Sequence, residues 1–528
     1  MRRRAWACAL LFLCACAKNA ENPAEPPSAQ GVLAPALRRL SVGELELSAS
    51  AVLGAPLALS QVLPPDALQT DFSRNIGQSV DSLTLRQLYD ATRLASEDVP
   101  LTRPPVPSCA ALAARDDSAC AHEVVATLAA LAFRRDPSED ELTRLLALFA
   151  AGTDGGTFRD GVTLVQRALL ASPQFLYEAS LGEGQAMGGV QRLTQAELAS
   201  ALSFFITGAP PDSELMQAAA AGQLSDGAAR QAQAVRLLGH VETLPLFQRF
   251  VEQWLGLVQL PALAKSSAVT GDFGVLSRAM RGETRAFVAD VFRSQGGALQ
   301  TLFAGGYSLV PDELAPVYGI LPVGADTRVS LRSVSRVGLL QQGSFLAVFA
   351  HEAESAPVLR GKAVLVRLLC RTIRPPQELG IDVVPPAADP HATTRQRFAR
   401  HVSDPLCASC HAQLDPVGFT FENFDAIGRK RESEQGQPVD TRGSISIDGT
   451  VRTLTDSVAL SDAIAQSQEL RTCAARQVVR FASGRQDPDA EAAFVAEVAS
   501  LPLSWNGSLL GLFLSYVKSE SFAWRKAP

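Results

Sequence analysis

The sequence predicts a mostly α chain of several packed helical domains, with one small domain that carries a CxxCH segment and a short β hairpin. Three observations lead there. From His122 to Gly182 apolar residues recur at three and four, in VVATLAALAF, ELTRLLALF and VTLVQRALL, which is the helical period. The hydrophobic fraction is 47% and the aromatic fraction only 6%, a balance carried by Ala and Leu, which favour helix over sheet. At 528 residues the chain is too long for one ordinary core, so several units are expected.

In chain order, MRRRAWACALLFLCACAKNA has three arginines, a short apolar run from Ala5 to Leu13, then small residues, the anatomy of a secretory signal and not of a membrane span. Its end, Leu13-Cys14-Ala15-Cys16, resembles the bacterial lipoprotein box, which makes residues 1–15 a lipoprotein signal peptide and Cys16 the lipidated first residue. Cleavage after Ala17 is the alternative. Residues 16–34, polar and proline-rich, read as a tether. Residues 35–105 form an N-terminal helical domain, bounded by the proline cluster TRPPVPSC, and 106–185 a small helical domain. A large helical domain spans 186–325, and Thr194 with Glu197 form a capping box that starts a helix in it. The stretch 120–305 shows no strong strand pairing. In the CxxCH domain, 326–450, TTRQRFARHV reads as a short helix leading into CASCH, and PVDTRGSISIDGTVRTLTD as a hairpin that runs on past 450. Residues 451–528 form a C-terminal helical domain.

Loss of Arg2, Arg3 and Arg4 with the signal takes the formal charge from −6 to −9, which argues against a nucleic-acid partner and against binding anionic membranes by charge. Export makes cysteine usage informative, because thiols are oxidised outside the cytosol. Cys8 and Cys14 leave with the signal, Cys16 takes lipid, and six remain. If Cys407 and Cys410 act together elsewhere, the other four suit two disulfides: Cys109 with Cys120, close in sequence, and Cys370 with Cys473 by elimination. Two buried free thiols are the alternative for the second pair.

CASCH holds Cys407, Cys410 and His411. Two thiols at that spacing can add across the two vinyl groups of haem while the adjacent histidine takes the iron from one side, as proximal ligand. Zinc held by the same three with a fourth ligand such as His401 is the competitor, but adjacent Cys410 and His411 ligate one tetrahedral ion awkwardly, and no second close pair is present. A disulfide or an inert loop is the third reading. One covalent haem c is preferred.

The runs RGKAVLVRLLC, TTRQRFARH, CASCH and LDPVGFTFENFDAIGRKR together resemble an uncharacterised family of exported, cytochrome-c-like multidomain proteins of planctomycetes and myxobacteria, a succession of domains of unknown function around a CxxCH segment. LRRLSVGELELSASAVLG, LAFRRDPSEDEL, LTQAELASALSFFITGAPPDSELM and CAARQVVRFASGR extend the likeness over nearly the whole mature chain. The resemblance implies this architecture and a haem; it supplies no reaction.

A sixth iron ligand would separate an electron carrier from a site with an open iron position. No Met follows His411, so the candidates are His401, His351, His391 or Met280, with Met280 better read as core and His122 and His240 as helix-surface or packed residues. Beyond CASCH, Asp415, Glu422, Asp425 and Arg429 either surround a haem edge, with Arg429 on a propionate, or form turns, with Glu422 paired to Arg429. Gly418 marks a backbone position that admits no side chain. Arg360 is a further propionate candidate and otherwise an exposed helix-start residue. Function then reads as an exported, lipid-anchored c-type haem protein in electron transfer with an unidentified redox partner protein. The alternatives are a haem peroxidase- or oxidase-like enzyme, or a non-redox metal-binding or scaffold lipoprotein. The periplasmic side or the cell surface is expected, with the outer membrane preferred.

Overall fold

The computed structural model describes residues 26–69, 71–98, 101, 104–111, 117–239, 244–373, 391–403 and 405–528. The signal, Cys16 and part of the tether fall outside the described residues, as does His240.

The protein is mostly α, as its composition predicts. Helix starts are encoded by side chains that satisfy the orphan backbone N–H groups of the first turn. Helix α1 (Val42–Leu53) begins with a Ser41–Glu44 capping box and ends on Gly54 in the left-handed conformation. Helix α2 spans Ser82–Asp98 and α3 Ser118–Phe133, the latter capped by Asp117. Capping boxes recur at Ser138–Glu141 for α4 (Glu139–Thr153) and Thr157–Asp160 for α5 (Phe158–Leu170). The expected Thr194–Glu197 box is formed and starts α6 (Gln195–Thr207).

One expectation for 120–305 is corrected. Strand β1 (Ala36–Arg39) pairs antiparallel with β2 (Tyr177–Ser180), with Ala36 opposite Ser180. Strands β3 (Glu183–Met187) and β4 (Val190–Arg192) make a hairpin whose open edge takes the C-terminal strand β5 (Trp524–Lys526). These strands are three to five residues long, and β2 and the outer edge of β4 find partners far along the chain, so no local alternation announces them. They bring the two ends together: Leu33 bridges Arg525, and Ser521 Oγ donates to Gly31 O at 3.0 Å.

Burial divides into two cores. Leu40 to Leu176, with Phe204, form the smaller, so that segments 35–105 and 106–185 share one interior. The larger runs from α6 to the C-terminus and admits Phe72 from the N-terminal part. Phe204 and Phe205, adjacent on α6, face the two cores in turn and stitch them together. Phe205 stacks on Phe513 at 4.7 Å, and Phe481 meets both Phe72 and Phe250 edge-on at 5.3 Å. Met280 is fully buried here, against Gly343, and is a core residue.

Two buried guanidinium groups cap helix ends. Arg230, fully buried, donates to Val517 O, Lys518 O and Ser519 O at the end of helix α7 (Leu509–Lys518). Arg134 does the same for Gln174 O and Tyr177 O at 2.7 and 2.8 Å. The planar donor fork suits several carbonyls at once.

Glu283, completely buried, accepts from Tyr318 Oη, and burial pushes its carboxyl from the usual 4.5 up to about 7. The folded state therefore holds this proton more tightly than the unfolded chain. Its contribution is fully present below about pH 4.5 and is lost as pH rises through about 7. At about 1.4 kcal/mol per pH unit this amounts to about 3 kcal/mol. Unfolding free energy measured between pH 5 and 8 is expected to fall by that amount relative to Glu283→Gln; parallel profiles for the two proteins would contradict it.

Both expected disulfides are present, Cys109–Cys120 and Cys370–Cys473, with Cα atoms 5.9 and 5.3 Å apart, so the free-thiol alternative falls. Among the described residues no helix is long and apolar enough to cross a membrane. The bridges fit a chain that folds in an oxidising compartment.

Candidate functional site

CASCH lies in a helix, not a loop. The segment TTRQRFARHV forms the expected helix α8 (Thr394–Ser403), which leads into α9 (Pro405–Gly418) with Pro405 at its start, where the missing N–H costs nothing. Helical spacing sets Cys407, Cys410, His411 and Leu414 along one side of α9, since residues three and four apart share a face. Those four are partly or fully buried while Ser409, Ala412 and Gln413 are exposed.

Glycines set how closely α9 is held. A Cβ on Gly361, in the helix Pro357–Ala363, would overlap Leu414 O; one on Gly418 would overlap Pro357 O; one on Gly443 would overlap Pro416 O. At Gly418 the backbone is ordinary helix, φ −65°, so close approach and not backbone freedom demands glycine there. Because the clashing atoms are backbone, Gly418→Ala must move a helix, and it is expected to cost about 2–3 kcal/mol in thermal or denaturant unfolding. A loss below about 0.5 kcal/mol, the ordinary surface effect, would contradict the packing. The expected hairpin follows as Gly443–Ile447 paired with Thr450–Leu454 and lies against α9.

His411 Nδ1 lies 2.8 Å from Oδ1 of Asp415, one turn on. Asp415 is 1% exposed, and its second oxygen, Oδ2, is buried with no hydrogen-bond partner among the described residues. With Nδ1 committed to Asp415, ligation by this ring falls to Nε2. Cys407 and Cys410 are not bridged, in a chain whose other described cysteines are. Among the described residues no three His, Cys, Asp or Glu side chains converge to hold a metal ion; the side chain of His401, the fourth ligand of the zinc arrangement, is not among them.

The residues beyond CASCH act on the backbone. Arg360 is not an exposed helix-start residue: fully buried, it donates to Leu346 O, Phe421 O, Phe424 O and Asp425 O at 2.7–3.1 Å. Its terminal nitrogens are committed to the turn that follows α9 and are withdrawn from a propionate. Asp425 Oδ1 accepts from the backbone N–H groups of Ile427 and Arg429, as a turn-forming Asp does. Glu422 pairs with Arg431 at 2.8 Å and with Ser355 Oγ, not with Arg429. The reason is a chain reversal that sets Phe424 opposite Lys430, so Arg431 returns beside Glu422 while half-exposed Arg429 points to Asp425 and Val269 O. Of the candidate sixth ligands, His351 is exposed on the loop before Ser355, His391 is exposed just ahead of α8, and the side chain of His401, on α8, lies outside the described residues. His122 is exposed on α3, as expected.

Fold and site together define a mostly helical chain in which a CxxCH helix is clamped between a glycine-bearing helix and a hairpin. The family model PSCyt3, "Protein of unknown function (DUF1588)", matches residues 336–434, which include Arg360, α9 and the turn after it but not the hairpin. Two more match earlier in the chain: PSD4, "Protein of unknown function (DUF1592)", at 193–320, and PSD5, "Protein of unknown function (DUF1595)", at 120–179. The chain is thus similar to three domains of unknown function and fits an uncharacterised multidomain family. No curated protein and no solved structure matches it.

Proposed function

We propose that this chain is an exported, lipid-anchored c-type haem protein that transfers electrons. The observation that carries the reading is the helix face of α9: two unbridged thiols three residues apart and a histidine whose Nδ1 is held by a buried carboxylate. Cys407 and Cys410 would hold haem c through thioethers, and His411 Nε2 would ligate the iron from one side. Haem supplies a one-electron iron couple. The chain's own part is to fix the ligand ring through Asp415, to anchor α9 in the core through Leu414, and to lock the following turn with Arg360. The name PSCyt3, on the model that covers the site, points the same way.

His401 or His351 would supply the sixth ligand in a carrier; Met280, in the core, would not. Attachment to a membrane through lipid on Cys16 and a redox partner protein complete the reading, on the periplasmic side or the cell surface. A haem-stained denaturing gel of protein exported by a host competent for c-type maturation is expected to show a stained band that Cys407→Ala with Cys410→Ala abolishes. An unstained band in the parent would overturn the proposal.

A further inference from the structure

We infer that Asp415 is a positioning residue that makes His411 a strong, electron-rich donor and so biases the site toward the oxidised metal. The inference rests on the haem reading above and adds the direction in which this chain tunes it.

Two observations carry it. Asp415 Oδ1 sits 2.8 Å from His411 Nδ1, one helical turn away, so the pair is built into α9 itself and does not depend on a remote loop. The carboxyl is also 1% exposed, with Oδ2 buried and unpartnered among the described residues. A buried carboxylate that holds a single protein hydrogen bond among the described residues concentrates its demand on that donor, the imidazole Nδ1–H. Pulling on that proton moves electron density toward Nε2, the ligating nitrogen, and such outer partners raise the basicity of a metal-bound histidine and fix its ring. A backbone carbonyl would fix the ring with no net charge; this carboxylate fixes it and adds one. A more basic axial nitrogen and a nearby negative charge both favour the more positive iron, and second-sphere hydrogen bonding is one of the levers a protein has on a haem couple.

None of the arginines described near the turn after α9 pairs with Asp415: Arg360 donates to backbone carbonyls, Arg431 pairs with Glu422, Arg395 donates to Asp440 O and Arg429 lies beside Asp425.

The test is a potentiometric titration of the haem-loaded full chain. Asp415→Asn keeps an acceptor for Nδ1–H and removes the charge; Asp415→Glu keeps the charge. At the parent's midpoint the Asn variant is expected to shift the reduced-to-oxidised ratio at least tenfold toward reduced, which is about 59 mV for one electron, and the Glu variant less than threefold. A haem-loaded Asn variant within twofold of the parent overturns the inference and leaves the haem reading standing. Should the Asn variant fail to load, Asp415→Ala is read in its place against the same tenfold criterion. A parent without haem overturns both.

Discussion

Replacing Cys370 and Cys473 together with alanine is expected to lower the unfolding free energy by about 4–5 kcal/mol. The bridge joins residues 103 apart and so removes a large share of the unfolded chain's freedom. The loop it closes contains the site helix, the turn that Arg360 caps and the hairpin behind them. Cys370 stands at φ 50° directly after the π-helical turn Val364–Leu368, where the chain leaves its helix and meets the buried Cys473 in Gln468–Ser483. Denaturant unfolding of parent and double variant under non-reducing conditions reads the difference. A change below about 1 kcal/mol would mean that the loop is ordered without its bridge.

Arg360→Met is the second large effect. Removing the guanidinium leaves the carbonyls of Leu346, Phe421, Phe424 and Asp425 without its hydrogen bonds in a dry interior, and each unmet acceptor there costs about 1–3 kcal/mol. After relaxation the expected loss is about 3–5 kcal/mol. Lysine is not expected to rescue it, because one ammonium cannot span four carbonyls set by a planar fork. Arg429→Ala, a few residues from the same turn but half-exposed, is expected to change stability by less than about 0.5 kcal/mol. Equal effects at the two arginines would contradict the cap.

What could be read in advance was local. Helical periodicity, the Thr194–Glu197 box, the helix before CASCH and the hairpin after it depend on neighbours within a few residues, and all are present. Cys109–Cys120 was legible from proximity, and Cys370–Cys473 by counting once Cys407 and Cys410 were set aside. The strands at 177–180 and 190–192 were hidden because they pair with residues 36–39 and 524–526, and the hairpin 183–192 because its strands are only five and three residues long. Arg360 was misread as exposed because nothing in APVLRG tells that four carbonyls converge on it from 346 and from 421–425. The pairing of Glu422 with Arg431 depends on the reversal between Phe424 and Lys430, which spacing alone does not show. Asp415 did carry a local signal: four residues after His411, it shares its face once CASCH is helical.

The central claim is that Cys407 and Cys410 carry haem, and mass spectrometry of the purified chain tests it most directly. After alkylation under reducing, denaturing conditions and proteolysis, the peptide that contains Cys407, Cys410 and His411 is expected to carry the mass of one haem, with neither thiol alkylated. The same peptide with both thiols alkylated and no added mass would contradict the account.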